Sequence, residues 1–408
     1  EVDIGPFLQD TTQSSQLRGT IRGTVRGTAP ATMSVDAGLT LDSSRVNQQR
    51  VDRATVDLRL QNGQIETDVS LNTPKGGMTL AALARPFDAV PTYQVTEGTF
   101  DQLNVGAFAN LPALTTALTG SLTLNGRGTA PSTLALDGTL AFRESRINNA
   151  TLSKGQLTMT AKQGRASTDG RFTLNGGHLN LSGRADSLET TPSYTLTTTV
   201  DSLDAGALAG LDTLSAHLDS LRWTLDGRGT SLHTLTGSTH LAAKGLQVDQ
   251  LDIDTASLQG QLQNGHLDLD TLLVRSNVFA SEGGGILALT DTAATSDFSF
   301  RTTITNAHAL RRLVGARSLQ LQKGTIETRV YGPASEQRFD GVIEVSSLLY
   351  DNIRLAEAEL NFNGALGEKQ WLRQGEMDGT LGFVSVTALS VEQTRLRTTY
   401  EDNLITLS

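Results

Sequence analysis

The residues of this chain best spaced for chemistry are His266, Asp268 and Asp270, which alternate along one segment, with Asp249, Asp252 and Asp254 close by in sequence. A carboxylate–imidazole set of this kind offers ligands to a divalent cation. Leu267 and Leu269 alternate with them, however, which is the pattern of a strand with one buried and one solvated face. The other histidines, His178, His217, His233, His240 and His308, form neither an H-E-x-x-H nor an H-x-H pair. Gly283-Gly284-Gly285 has the freedom of a phosphate loop but no Lys-Ser/Thr after it; it predicts a bulge or turn before a strand at Ile286, Leu287 and Leu289. There is no G-x-S-x-G elbow, and the absence of cysteine excludes disulfides, thiolate metal sites and cysteine nucleophiles. The expectation is a protein that is not an enzyme, with no catalytic residues, no metal and no cofactor.

Bulk properties narrow the partners. The net charge is −10 and no run of Lys or Arg stands out, so the concentrated basic stripe that nucleic acid requires is missing. No apolar stretch approaches ~18 residues, so no membrane-crossing helix is expected. Aromatic residues make up 5 % of the chain, too few for the stacking platforms of a polysaccharide-processing β enzyme, which would also need clustered acids. Forty glycines and nine prolines fit a sheet-rich protein with many tight turns. A hydrophobic share of 38 % suggests a thin core.

What positions any site here is a repeat. Arg26-Gly27-Thr28 returns as Arg127-Gly128-Thr129 and Arg228-Gly229-Thr230, 101 residues apart each time, with a weaker copy at Tyr331-Gly332-Pro333. Ser44-Arg45-Val46-Asn47 returns as Ser145-Arg146-Ile147-Asn148, and Val248 holds the slot of Val46 and Ile147. Each unit in such an array buries its apolar face against its neighbours. The repeat divides the chain into units 1–102, 103–202, 203–304 and 305–408. Asp3-Ile4-Gly5 matches Asn104-Val105-Gly106, so the chain reads as a segment of a longer protein.

Within each unit, period-two alternation predicts strands. Asn62-Gly63, Gln163-Gly164, Asn264-Gly265 and Asn363-Gly364 follow such strands and predict antiparallel hairpins. Phe108, Leu111, Leu114 and Leu118, then Leu208, Leu211, Leu214 and Leu218, then Leu310 and Leu313, have helical spacing. Asn104, Asp204 and Asn306 precede them as N-caps. After Gly364 the repeat decays: Trp371 to Met377 reads as irregular and Thr380 to Ser408 as strands with a turn at Asp402-Asn403. The fold class is all-β: an elongated antiparallel repeat sheet curled into an open groove, with one short helix per repeat of about 101 residues.

The alternation sets one apolar face against one polar face in every unit. On the apolar face stand Ile21 and Val25; Leu122, Leu124, Leu134, Leu136, Leu140 and Phe142; Trp223 and Leu225; and Ile326 and Val330. Alternation alone leaves two readings open. These residues form a closed dry core, as in a structural or adhesive stalk, or they line an open trough. A buried methylene is worth ~0.8 kcal/mol, so a continuous aliphatic trough would suit a lipid acyl chain.

The recurrent unit resembles the AsmA-like and TamB proteins of Gram-negative envelopes. The resemblance rests on Leu103-Asn104-Val105-Gly106 and Leu203-Asp204-Ala205-Gly206, each followed by a leucine-spaced run, then on strands such as Leu118 to Leu124, Gly128-Thr129-Ala130-Pro131, Leu134 to Phe142 and the hairpin. It covers residues 1 to 365. It implies a periplasmic, taco-like sheet whose apolar interior carries phospholipid acyl chains between inner and outer membrane and supports outer-membrane biogenesis. It also implies an inner-membrane anchor helix and an outer-membrane barrel partner, both reached through regions outside this segment, and no catalytic residues.

Overall fold

The computed structural model describes residues 14–29, 32–47, 49–111, 113–210, 215–290, 295–316, 318–366, 374–387, 389–401 and 404–407. Asp3-Ile4-Gly5, Leu211, Leu214, Trp371 and the Asp402-Asn403 turn lie outside these residues. The protein is all-β, with 73 % of it in strands and 4 % in helix. It divides into two compact units, residues 1–192 with 196–215, and residues 193–195 with 216–408.

The first unit holds strands Ser15–Gln16 (β1), Gly19–Arg26 (β2), Ser34–Val46 (β3), Gln49–Gln61 (β4), Gln64–Thr73 (β5), Gly76–Arg85 (β6), Thr92–Leu103 (β7), Thr116–Arg127 (β8), Ala135–Phe142 (β9), Ser145–Ile147 (β10), Ala150–Lys162 (β11), Arg165–Leu174 (β12), Gly177–Asp186 (β13) and most of Ser193–Asp204 (β14). From β2 to β9 each strand pairs antiparallel with the next, and β9, β11, β12 and β13 continue the ladder. The short β10 bridges β8 and β11.

The second unit holds Ala216–Arg228 (β15), Thr236–Val248 (β16), Leu251–Gln263 (β17), His266–Ser276 (β18), Phe279–Ala288 (β19), Ser296–Ile304 (β20), Gln320–Leu321 (β21), Gly324–Gly332 (β22), Arg338–Tyr350 (β23), Ile353–Ala365 (β24), Gln374–Val386 (β25), Leu389–Glu401 (β26) and Leu404–Leu407 (β27). Its pairing is again antiparallel and nearly sequential, β20 joining β22 and β21 joining β23.

Three of the four expected hairpin turns form. Asn62, Gln163 and Asn264 have φ of 52°, 52° and 47°, and the glycines after them 75°, 74° and 84°, the two positive values that a tight type I′ turn needs. Asn175-Gly176, which the sequence reading passed over, makes a fourth such turn at 49° and 84°. Asn363-Gly364 does not turn. Both lie inside β24, opposite Asp340 and Phe339. A Cβ on Gly364 would meet the Phe339 ring at 2.5 Å, so this glycine is a seat for an aromatic ring.

The glycine triplet is corrected in the same way. Gly283, Gly284 and Gly285 are all inside β19, and the register irregularity lies on the facing strand between Leu269 and Leu272. Gly284 and Gly285 let neighbouring backbone close in: a Cβ would stand 2.9 Å from the Leu269 carbonyl oxygen in one case and 2.3 Å from that of Asp297 in the other. The stretch expected to be irregular before Met377 is strand from Gln374 onward.

Two of the helices among the described residues are shorter than the leucine spacing predicts, while the third holds both Leu310 and Leu313. Val105–Phe108 (α1), Ala205–Ala209 (α2) and Ala307–Leu313 (α3) are the helices among the described residues. The expected N-caps act as such: Asn104, Asp204 and Asn306 accept from the amides of Ala107, Ala207 and Ala309 at 3.2, 2.9 and 3.1 Å. Each helix stops at a left-handed residue, Asn110, Gly210 or Gly315, with φ of 55°, 73° and 67°. Leu118 and Leu218 therefore belong to strands β8 and β15, and Leu111 is exposed outside α1.

Candidate functional site

Residues opposite one another in an antiparallel ladder share a face, so the register decides which side chains meet. In the first unit Ile21 faces Leu39, which faces Val56, which faces Val69, which faces Leu80. Leu80 faces Gly98, where a Cβ would touch that of Leu122 at 3.2 Å. Leu122 faces Leu140, which faces Leu157. Val25 joins Val35, and Leu124 lies between Val95 and Gly138. Leu136 faces Gly126 and Ala161. Leu134 precedes β9 by one residue and is half-buried. All eight residues expected on the apolar face of this unit thus fall on the same side by register or alternation.

The second unit repeats the arrangement. Trp223 faces Leu241, which faces Leu258 and then Leu272. Leu225 faces Thr239, and the Trp223 indole N–H donates to the Thr239 hydroxyl at 3.0 Å, so its polar atom is satisfied on this face. Ile326 faces Ile343, which faces Leu360, and Val330 faces both Phe298 and Phe339. The groove candidates legible in the sequence lie on one or two strands of each repeat; Leu39, Val56, Leu157, Leu241, Leu258 and Leu360, on neighbouring strands with the same alternation, join them by register.

Glycine and phenylalanine alternate across five neighbouring strands of the first unit. Phe100 faces Gly120, Gly120 faces Phe142, Phe142 faces Gly155, and Gly155 faces Phe172. The rings meet over the glycines, at centroid distances of 5.9 Å for Phe100–Phe142 and 6.1 Å for Phe142–Phe172, within the range of favourable edge and tilted contacts. A Cβ on Gly120 would strike the Ala141 carbonyl oxygen at 2.0 Å and the Phe100 ring at 2.7 Å. The facing residues traced above contain no ionisable side chain.

None of the twelve residues is fully buried. Ile21 is 81 % and Val25 65 % exposed, and the other ten are half-buried. The surface of the whole chain is 24515 Å², whereas a compact protein of 43.4 kDa exposes about 15,000 Å².

Between β20 and β22 the charged side chains alternate with the apolar ones and lie on the other face. Arg329 makes two hydrogen bonds to Asp297, at 2.7 and 3.0 Å, and lies 5.8 Å from the Tyr331 ring centroid. That guanidinium, first by hydrogen bonding, holds the Asp297 carboxyl below the ordinary carboxylate range. Arg301 pairs with Glu327 in the same region. His266, Asp268 and Asp270 do not converge, and no three acidic or histidine side chains among the described residues are grouped to hold a metal. No helix among them is long and apolar enough to cross a membrane.

No family model matches the chain, and neither a curated protein nor a solved structure matches it.

Proposed function

We propose that the apolar face is a lipid-binding surface, and that the chain is a non-enzymatic periplasmic segment of an AsmA-like or TamB-like protein. In this reading the sheet curls into an open, taco-like groove with a short helix at each repeat. The groove carries phospholipid acyl chains between inner and outer membrane and supports outer-membrane biogenesis. The observation that carries the reading is that each unit holds charge-free rows of mainly aliphatic side chains that stay half-exposed or exposed. A sixteen-carbon chain in water costs on the order of 10 kcal/mol at ~0.8 kcal/mol per methylene, and an aliphatic wall removes most of that cost. Evenly spread Leu and Val contacts without a fixed polar anchor favour sliding over tight capture. An anchor helix and an outer-membrane barrel partner belong to the same proposal, through regions outside residues 1–408.

The test is native mass spectrometry and lipid extraction on protein purified without detergent. Phospholipid should co-purify with the wild type. It should be lost from the double variant Leu122→Asp, Leu124→Asp while circular dichroism still reports β-structure. A folded wild-type chain that carries no lipid and takes none from phospholipid vesicles would favour a structural stalk instead.

A further inference from the structure

One row of facing residues crosses the second unit from β15 to β24. Leu221 faces Ala243, then come Ala256 and Val274; at the far end Ile326 faces Ile343, then Leu360. Between these two apolar stretches stand Ser281 on β19 and Thr302 on β20, opposite each other, with Val274 and Ile326 as their outer neighbours. This is the apolar face. Phe279 and Ile304 lie two residues away on the same side, as do Gly283 and Phe300 in the other direction. The corresponding row of the first unit runs through Leu41, Ala54, Leu71, Met78 and Phe100 and has no hydroxyl in it. Met78 and Phe100, two repeats earlier, hold the places of Ser281 and Thr302.

The two hydroxyls are hydrogen-bonded at 2.7 Å, and both residues are half-buried. Neither hydroxyl has another hydrogen-bond partner among the described residues. Each has one hydrogen to donate. The bond between them uses one, whichever residue donates, and leaves the other over. Comparable pairs, Thr79 with Thr99 and Thr160 with Ser167, lie on the opposite, solvated face, where water serves them. The spare hydrogen of Ser281 and Thr302 is instead ringed by apolar side chains, where a hydrogen bond is electrostatically stronger than in water. An acyl chain brings one acceptor into such surroundings, the carbonyl oxygen of its ester.

We propose that Ser281 and Thr302 form a seat for the ester carbonyl of an acyl lipid. The pair donates its spare hydrogen to the carbonyl oxygen while the chain lies against the neighbouring aliphatic side chains. This rests on the lipid-binding reading and adds one fixed point to it. Apolar contacts alone let a chain slide, whereas the hydroxyl pair holds the ester in register with β19 and β20. A lipid therefore pauses in the second unit, while Met78 and Phe100 offer only apolar contact at the same place in the first.

The test sets a diester lipid against its diether analogue, which has the same headgroup and chain length but no carbonyls. Vesicles of dipalmitoyl and dihexadecyl phosphatidylcholine in equal amounts are offered to an excess of the full chain, and the bound lipid is extracted and quantified by mass spectrometry. The wild type should take up the diester in about threefold to tenfold preference, the range of a single hydrogen bond. The double variant Ser281→Ala, Thr302→Val removes both hydroxyls together and leaves neither unpaired, so it should still take up lipid, with the preference reduced to about one. Thr302→Ser, which keeps both hydroxyls, should keep the preference. Equal uptake of the two lipids by the wild type overturns the proposal and leaves the lipid-binding reading standing. A preference that survives the double variant, or is lost in Thr302→Ser, does the same. Uptake of neither lipid overturns both.

Discussion

At the scale of single residues, the repeated Ser-Arg-x-Asn phrase has a mechanical explanation. The Ser44 and Ser145 hydroxyls accept from the amides of Arg18 and Thr119, at 3.0 and 2.9 Å, where β1 and β10 run beside the longer strands. Asn47 and Asn148 sit at left-handed φ of 50° and 51°. Their side-chain carbonyls accept from Ser14 and Thr115, and their side-chain amides donate to the last-turn carbonyls of Phe108 and Leu208. One asparagine thus ties a strand end to a helix end some sixty residues away. In the later copies the position is Asp249 and Asp351, at φ of 51° in both, and a carboxylate accepts but does not donate. This makes Asn148 a sharp test. Asn148→Gly keeps the left-handed conformation and deletes both bonds, and should cost about 1–2 kcal/mol. Asn148→Asp keeps the bond from Thr115 but aims a negative charge at the C-terminal end of α2, which the helix dipole disfavours. Its cost in urea unfolding followed by circular dichroism should be at least as large at pH 7, and should shrink in acid as the carboxyl gains a proton to donate.

At the scale of elements, glycine does two jobs that look alike in sequence. Gly63 turns a hairpin at φ of 75°, and a Cβ there would meet nothing within 4 Å. Gly120 seats two phenylalanine rings in the middle of β8. Gly63→Ala should therefore cost roughly 1–2 kcal/mol of left-handed strain alone, whereas Gly120→Ala forces a strand apart and should cost about 3 kcal/mol or more. Equal losses in thermal unfolding would refute this division of roles. The same ambiguity explains where sequence reading succeeded and failed. Strands, antiparallel order, N-caps and the apolar face were legible because each rests on local alternation or a local side-chain bond. Asn363-Gly364 was misread because its purpose, a seat for Phe339, lies on another strand. The helices were overextended because Leu118 and Leu218 keep helical spacing from α1 and α2, yet their backbone bonds go to neighbouring strands. Which residues stand opposite one another, and so the continuity of the Leu39–Val56–Val69 row, depends on the turns and bulges taken together.

At the scale of the whole molecule, the surface sets the thermodynamics. An unfolded chain of 43.4 kDa exposes about 63,000 Å². Against a folded surface of 24515 Å², folding removes roughly 60 % of it, the share expected of a domain of about 60 residues and well below the roughly 75 % of a compact chain of about 300. Stability then comes mainly from each strand's contacts with its immediate neighbours, as in repeat proteins generally. The heat capacity of unfolding tracks exposed apolar area, at about 12–15 cal/mol/K per residue for compact proteins. Summed over all transitions in scanning calorimetry, this chain should give about four-fifths of the value its length would suggest. Two separate compact units make more than one transition the natural outcome, so the summed quantity is the one to compare. A full-sized heat capacity change would mean that the apolar face is covered in solution, by the protein itself or by a bound molecule. Repeating the scan after lipid extraction separates these cases: a value that falls on extraction identifies the cover as lipid, and an unchanged full value identifies a closed core.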